Sequence, residues 1–210
     1  MLHFITIILS SDPQFMSDLV KQMSIGPSSS QTQVGFVIFG DSAASKFYLN
    51  TYTTQADVVT AIEGMRYLSQ DTNTQQGLIE MQDVQFTSGR GDRAGIRNIA
   101  IILTDGESKV KPERTIPEAE RARAAGIDIL SIGIGSNINE VELKGMSSEP
   151  QTKDLNYFVS SFEELSLISK MIVSEACGTV TAREYPIYVY LLYVQLCSFT
   201  FMNTFILLKK

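Results

Sequence analysis

Hydrophobic residues along this chain follow two patterns: short continuous runs, and longer stretches with apolar residues three and four apart. The runs Val34-Gly35-Phe36-Val37-Ile38-Phe39, Ile99-Ala100-Ile101-Ile102-Leu103 and Ile127 to Ile134 predict strands buried on both faces. Lys46-Phe47-Tyr48-Leu49 reads as an edge strand near the first, and Tyr157-Phe158-Val159 as a short late one. Helix starts lie between the runs. Thr54 with Asp57, Thr115 with Glu118 and Ser161 with Glu164 have the spacing of a capping box or of its Asp variant. Pro117 falls in a first turn, where its missing N–H costs nothing. A helix from Glu163 places Leu165, Ile168, Ile172 and Ala176 on one face. Strands alternating with helices predict an α/β fold of three layers, a doubly wound and mostly parallel sheet flanked by helices. This body is expected over residues 1–178, with an apolar tail over 179–210.

Composition narrows the function. Hydrophobic residues make up 44% and charged residues 19%, a globular balance. A net charge of −6 gives a nucleic-acid partner no electrostatic support. The basic cluster Arg90, Arg93 and Arg97 has Asp92 inside it and no interleaved aromatics, so it reads as a solvated loop. Two cysteines, Cys177 and Cys197, exclude a disulfide-rich scaffold and a Cys-based zinc site. A single histidine, His3, excludes a multi-histidine metal centre and a Ser-His-Asp triad. No motif places a carboxylate pair or an activated nucleophile for acid–base chemistry, so the chain reads as a non-enzyme.

In open parallel sheets the ligand site lies at the carboxyl ends of the strands, where neighbouring loops converge. The run Ile99–Leu103 leads directly into Thr104-Asp105-Gly106-Glu107-Ser108, which fixes a carboxylate beside a glycine that permits a sharp turn. The loop Asp71-Thr72-Asn73-Thr74 precedes a helical run from Gln75 and supplies hydroxyl oxygens. Together these are hard oxygen donors of the kind that suit Mg²⁺ or Ca²⁺. The competing reading of Asp105 is a cap on the segment that follows. Thr72, Asn73, Asp105, Gly106 and Glu107 are the candidate ligand-binding residues.

The ordered series Gln33–Phe39, Phe47 to Tyr52, Asp71-Thr72-Asn73-Thr74, Ile101 to Gly106, Ala125-Gly-Ile-Asp-Ile129 and Ile132-Gly-Ile-Gly135 resembles a von Willebrand factor type A domain. Within that family it is most similar to the matrilin and type six collagen branch, over about Phe15 to Cys177. The resemblance implies a Rossmann-like fold, an extracellular or cell-surface setting, and partners among matrix or cell-surface proteins. It also implies a metal-ion-dependent adhesion site for Mg²⁺ or another divalent cation, whose open position takes an acidic side chain of the protein ligand. The family's ligands are an Asp-x-Ser-x-Ser motif after the first strand, a loop Thr and an Asp after the central strand. The last two carry over as Thr72 and Asp105. A Cys at position 177 often bridges, in related domains, to one ahead of the first strand; that partner is missing, so Cys177 is expected to be unpaired or intermolecular.

No Asp-x-Ser-x-Ser occurs in this sequence. Phe15, Met16, Leu19, Val20 and Met23 fit the family's first helix, but upstream stands Met1–Leu9. Residues His3 to Leu9 either serve as the central first strand, followed by a shortened turn at Ser10-Ser11-Asp12-Pro13, or belong to a truncated product with a foreign N-terminus. Ser11 with Gln14 has capping-box spacing, and Pro13 suits a helix start. With three of five expected ligands absent from their places, the adhesion site is expected to be degenerate. The alternative is a structural or truncated A domain that binds nothing through a cation.

Arg90-Gly91-Asp92 is the tripeptide that integrins recognise on an exposed loop, and its polar, Gly-containing surroundings predict exposure; a three-residue motif also arises by chance. Gly133-Ile-Gly135 lacks the third glycine of a dinucleotide fingerprint and closes a late strand. Residues 186–208, ended by Lys209-Lys210, are long enough to span a bilayer, for which about 20 residues suffice. Gln195, Ser198, Thr200, Asn203 and Thr204 interrupt them, so an unstructured tail is the rival. Met1–Leu9 shows neither a basic leader nor a small-residue cleavage site.

Overall fold

Each strand-forming run must satisfy its backbone N–H and C=O groups through neighbouring strands. A computed structural model describes residues 3–9, 13–65, 71–148 and 156–159. They form β1 (His3–Leu9), α1 (Pro13–Val20), β2 (Gln33–Phe39), β3 (Ala43–Phe47), α2 (Gln55–Glu63), α3 (Thr74–Glu80), β4 (Arg97–Thr104), α4 (Thr115–Ala124), β5 (Ile127–Ile134), α5 (Glu140–Met146) and β6 (Asn156–Val159). One sheet carries the order β3-β2-β1-β4-β5-β6. Every pairing is parallel except β2 with β3, which form an antiparallel hairpin. The doubly wound α/β architecture is therefore present.

β1 lies between β2 and β4, with Leu9 opposite both Ile38 and Leu103. Of the two readings of the opening segment, the structure shows the central strand. The carboxyl end of β1 is the point from which connections run both ways along the sheet, the position that favours a binding crevice. Ser10, Ser11 and Asp12, which follow it, lie outside the described residues.

The period of two along each strand sends alternate residues to opposite layers. Ile99, Ile101 and Leu103 of β4 join Phe15, Met16 and Leu19 of α1 and Val58 and Ile62 of α2 in one core. Ala100 and Ile102 join Leu78 of α3, Ala119 and Ala122 of α4 and Leu143 and Met146 of α5 in the other. The interior positions of β4 are fully buried, as a continuous apolar run requires.

Helix caps follow the sequence in part. The Thr54 side chain accepts the N–H of Asp57, so the first box forms. Thr115 is instead the first residue of α4, and its hydroxyl donates to Ser108, because a short 3₁₀ turn at Pro112–Arg114 already leads into the helix. Ser161, the helix from Glu163, Cys177, Cys197 and residues 186–208 lie outside the described residues. Among the described residues no helix is long and apolar enough to cross a membrane.

The edge strand also differs from expectation. β3 ends at Phe47, and Tyr48–Thr51 turn instead: the Thr51 N–H donates to the Tyr48 carbonyl at 3.0 Å and the Tyr48 N–H to Thr51 Oγ1 at 2.8 Å. A register shift between Phe36 and Val37 is bridged by buried Gln85, whose Nε2 donates to the Phe47 carbonyl at 2.9 Å and the Phe36 carbonyl at 3.4 Å. Gly35 leaves the room that this side chain needs.

Candidate functional site

The carboxyl edge of the sheet is built from three segments that the chain brings together from far apart. The turn Gly40–Ser42 follows β2, residues 105–108 follow β4, and residues 71–73 precede α3. The third segment ties the other two. Asn73 donates its N–H to the Gly40 carbonyl at 2.9 Å, and Lys109 donates its N–H to the Thr72 carbonyl at 2.8 Å. Since β1 lies between β2 and β4, residues 71–73 span its carboxyl end.

The loop of Thr72 meets the turn after β4 at Gly106, the residue that follows Asp105. Thr72 Oγ1 lies 3.2 Å from the point that a Cβ on Gly106 would occupy, so only a glycine lets the two loops close up without a shift. Thr72 is 8% exposed and Asp105 is half-buried. Neither the Thr72 hydroxyl nor the Asp105 carboxylate has a hydrogen-bond or ion-pair partner among the described residues.

The reading of Asp105 as a cap is corrected by the turn itself. Thr104 Oγ1 accepts the Gly106 N–H at 3.3 Å and donates to the Gly106 carbonyl at 2.9 Å. Thr104 holds the turn, and Asp105 is left out of it.

Other candidates are taken up by the fold. Asn73 is the N-cap of α3: its Oδ1 accepts the Gln76 N–H at 3.3 Å and Gln75 Nε2 at 3.0 Å, while its Nδ2 donates to the Asp41 carbonyl at 2.9 Å. The Thr74 hydroxyl lies 2.6 Å from that of Ser108. Glu107 is exposed, with its N–H donated to the Asn137 carbonyl at 2.9 Å.

Beneath this edge lies a buried polar cluster that no sequence motif announces. Glu142 Oε1 of α5 accepts the Ser108 hydroxyl at 2.7 Å and the Ser108 N–H at 3.3 Å. Through Ser108 it connects to Thr74 and Thr115, so one carboxylate joins the ends of α3, α4 and α5 to the loop after β4. Burial raises the Glu142 carboxyl above its ordinary 4.5, the Ser108 hydrogen bonds oppose that, and nearby Glu107 adds to the rise. Asp41 was also not singled out in the sequence; its Oδ1 accepts the Asp71 N–H at 2.9 Å.

A divalent cation of the hard type takes six or more oxygen ligands. Thr72 and Asp105 offer two side-chain oxygens, and among the described residues no group of three or more His, Cys, Asp or Glu could hold a metal ion. The described donor set does not by itself fit such an ion.

The tripeptide Arg90-Gly91-Asp92 is folded against the body. The Arg90 guanidinium stands 3.8 Å over the Tyr48 ring, and the Asp92 N–H donates to the Thr87 carbonyl at 3.2 Å. Arg90 is exposed, but Gly91 and Asp92 are half-buried. At the opposite end of the sheet, Arg123, Asp128, Gly145, Ser147 and Ser148 line a groove of ≈ 520 Å³. Its polar groups serve the fold: Arg123 donates to the Gly145 and Met146 carbonyls, and Asp128 pairs with Arg97.

Residues 13–171 match the von Willebrand factor type A domain. Chicken matrilin-1 is 27% identical over 164 residues, covering 78% of this chain and 32% of matrilin-1. Chicken integrin alpha-1 is 32% identical over 173 residues, covering 78% of this chain and 58% of that protein. The chain thus spans about a third to somewhat over half the length of these relatives. Among solved structures, proximal thread matrix protein 1 from the mussel byssus, with a zinc-occupied adhesion-site motif, superposes with a TM-score of 0.74 at 25% identity, over 84% of this chain and 46% of that one. By its matched residues and its sheet, the chain belongs to the von Willebrand factor type A domain family.

Proposed function

We propose that this chain is a protein-binding module of the extracellular matrix or cell surface, not an enzyme, and that its contact face is the carboxyl edge around Thr72 and Asp105. The observation that carries this reading is the meeting of two loops at the strand ends, with Thr72 Oγ1 against Gly106. Among the described residues the Thr72 hydroxyl and the Asp105 carboxylate take no part in the hydrogen bonding that occupies Asn73, Thr74, Thr104 and Ser108 around them. Side-chain oxygens that the fold does not use, at the edge where such sheets bind their ligands, suit a partner from outside. Gly106 and exposed Glu107 complete the face. The relatives described above, a matrilin, an integrin chain and a matrix protein, agree with this setting.

In this reading the metal-ion-dependent adhesion site is degenerate, because the sequence has no Asp-x-Ser-x-Ser to complete the cage. The same gap favours a second reading, a structural A domain without a ligand. The Arg90-Gly91-Asp92 segment, packed on Tyr48, is assigned a structural role. The experiment is surface plasmon resonance against a panel of immobilised collagens and matrix glycoproteins, repeated with Asp105→Ala. Binding that weakens at least about tenfold in the variant supports the face, in line with losing one charged contact. Binding that survives intact moves the interface elsewhere, and no binding at all leaves the structural reading.

A further inference from the structure

Four consecutive N–H groups of the loop after β4 are fastened to three other segments of the chain. Glu107 donates to the Asn137 carbonyl at 2.9 Å, and Lys109 and Val110 both donate to the Thr72 carbonyl, at 2.8 and 3.3 Å. Between them Ser108 donates to Glu142 Oε1 of α5 at 3.3 Å. Backbone carbonyls accept at every pH. The carboxylate is the acceptor that a proton can change.

The Ser108 hydroxyl strengthens the same joint. It is buried with Thr74 and Thr115, and it stands 2.7 Å from Glu142 Oε1, 2.6 Å from Thr74 Oγ1 and 3.1 Å from Thr115 Oγ1. A hydroxyl has one hydrogen and two lone pairs. With Glu142 ionised, Ser108 gives its hydrogen to the carboxylate and accepts from both threonines, so all three buried hydroxyls are satisfied. Once Glu142 is protonated, Oε1 either carries the proton or is a neutral carbonyl oxygen. In both cases the charge-assisted bonds to the Ser108 hydroxyl and N–H are lost.

We infer that Glu142 is the positioning residue of this face: as a carboxylate, and only so, it holds the Asp105 loop against α5 and, through Ser108 and Thr74, in register with the Thr72 loop. For its consequence the inference rests on the reading of this edge as the binding face: a partner docked there is held at neutral pH and released in mild acid. Burial raises the Glu142 carboxyl above its ordinary 4.5, so the joint loosens at a milder pH than ordinary carboxylates require. Glu107, on the loop itself, adds to that rise. The other charges on the elements packed against α5 are occupied or exposed. On α4, Glu118 pairs with Arg114 and Arg121, Glu120 is exposed, and Arg123 bonds the carbonyls at the far end of α5. On α5 Glu140 pairs with Lys144, and on β5 Asp128 pairs with Arg97.

The test is amide hydrogen exchange of the full chain, ¹⁵N-labelled, at about pH 7 and about pH 4.5, each rate taken relative to that of an unstructured peptide at the same pH. Protection of the Ser108 and Lys109 amides is expected to fall about tenfold in acid, while that of Ile101 inside β4 is kept. Glu142→Gln, neutral at both pH values, is expected to show the lower protection at both and no step between them. Ser108→Ala, which removes the hydroxyl between Glu142 and Thr74, is expected to lower Lys109 protection at both. Met146→Ala, a core truncation on the same helix, is expected to lower the melting temperature and to keep the step. Unchanged protection in the native chain, or an equal fall in Glu142→Gln, overturns the inference. A fall that Ile101 shares overturns it too, because that is acid unfolding of the sheet. None of these readings involves a partner, so failure of the face itself shows separately, as binding that survives Asp105→Ala.

Discussion

Thr72 Oγ1 and Gly106 are so close that a methyl group on the glycine would stand 3.2 Å from the hydroxyl oxygen. Two loops that belong to different strands and helices are thereby locked face to face. Gly106→Ala is expected to displace Thr72 by a few tenths of an ångström and to change stability by only about 0.5 kcal/mol, because neither loop is part of the core. Binding of a captured matrix protein should weaken while the melting temperature stays nearly constant. Thermal denaturation and surface plasmon resonance on one preparation check both.

Glu142 gives the pH dependence. Its carboxyl is raised above 4.5 in the folded chain, so between that value and the raised one the folded state binds more protons than the unfolded state. Stability from this group is therefore full below the unfolded value and is lost as pH rises through the folded one. Gln at this position removes the titration and keeps an oxygen for Ser108. The melting temperature of Glu142→Gln, relative to that of the native chain, should rise with pH from about 4.5 upward. A difference that is flat or falls across that window would refute the assignment.

Gly91 should tolerate no side chain. Its φ is +104°, and a Cβ would come within 2.8 Å of the Asn50 backbone nitrogen. Gly91→Ala is expected to cost about 1–3 kcal/mol in denaturant unfolding. Arg90→Ala, which removes the stacking on Tyr48, should cost about 0.5–1 kcal/mol. If both variants leave stability untouched but abolish cell attachment, the tripeptide is a recognition element and not part of the fold.

Gly35→Ala probes the hairpin. An added Cβ would collide with Gln85 Oε1 and push its amide off the Phe36 and Phe47 carbonyls. Overpacking together with a strained buried hydrogen bond predicts a loss of about 2–3 kcal/mol. Thr54→Ala, which removes one exposed N-cap, should cost about 1 kcal/mol. Urea titrations rank the two.

Where a single periodicity decided the structure, it could be read from the residues. Ile127–Ile134 is β5 without a change of limits, and Ile99–Leu103 lies within β4, because both runs are buried on both faces and no neighbour competes. The edge strand was displaced because Thr51 competes for the backbone of Tyr48, a local side-chain bond that hydrophobicity does not report. Thr115 has the spacing of a cap, yet tertiary contact with Ser108 decides its place. At the site, Thr72 and Asp105 were accessible through the strand ends. Asn73 could have been read too, since Asn with Gln76 three residues on is an N-cap signal. Asp41 and Glu142 could not, because their places depend on a hairpin and on contacts 30 and 34 residues apart along the chain.

The central claim is that the carboxyl edge of the sheet is where partners bind. Hydrogen–deuterium exchange of the chain, alone and with a matrix protein captured from the binding panel, tests it most directly. Protection is predicted to concentrate at residues 71–73 and 105–109. Protection confined to the groove around Arg123, Asp128 and Ser148, with those loops unchanged, would contradict it.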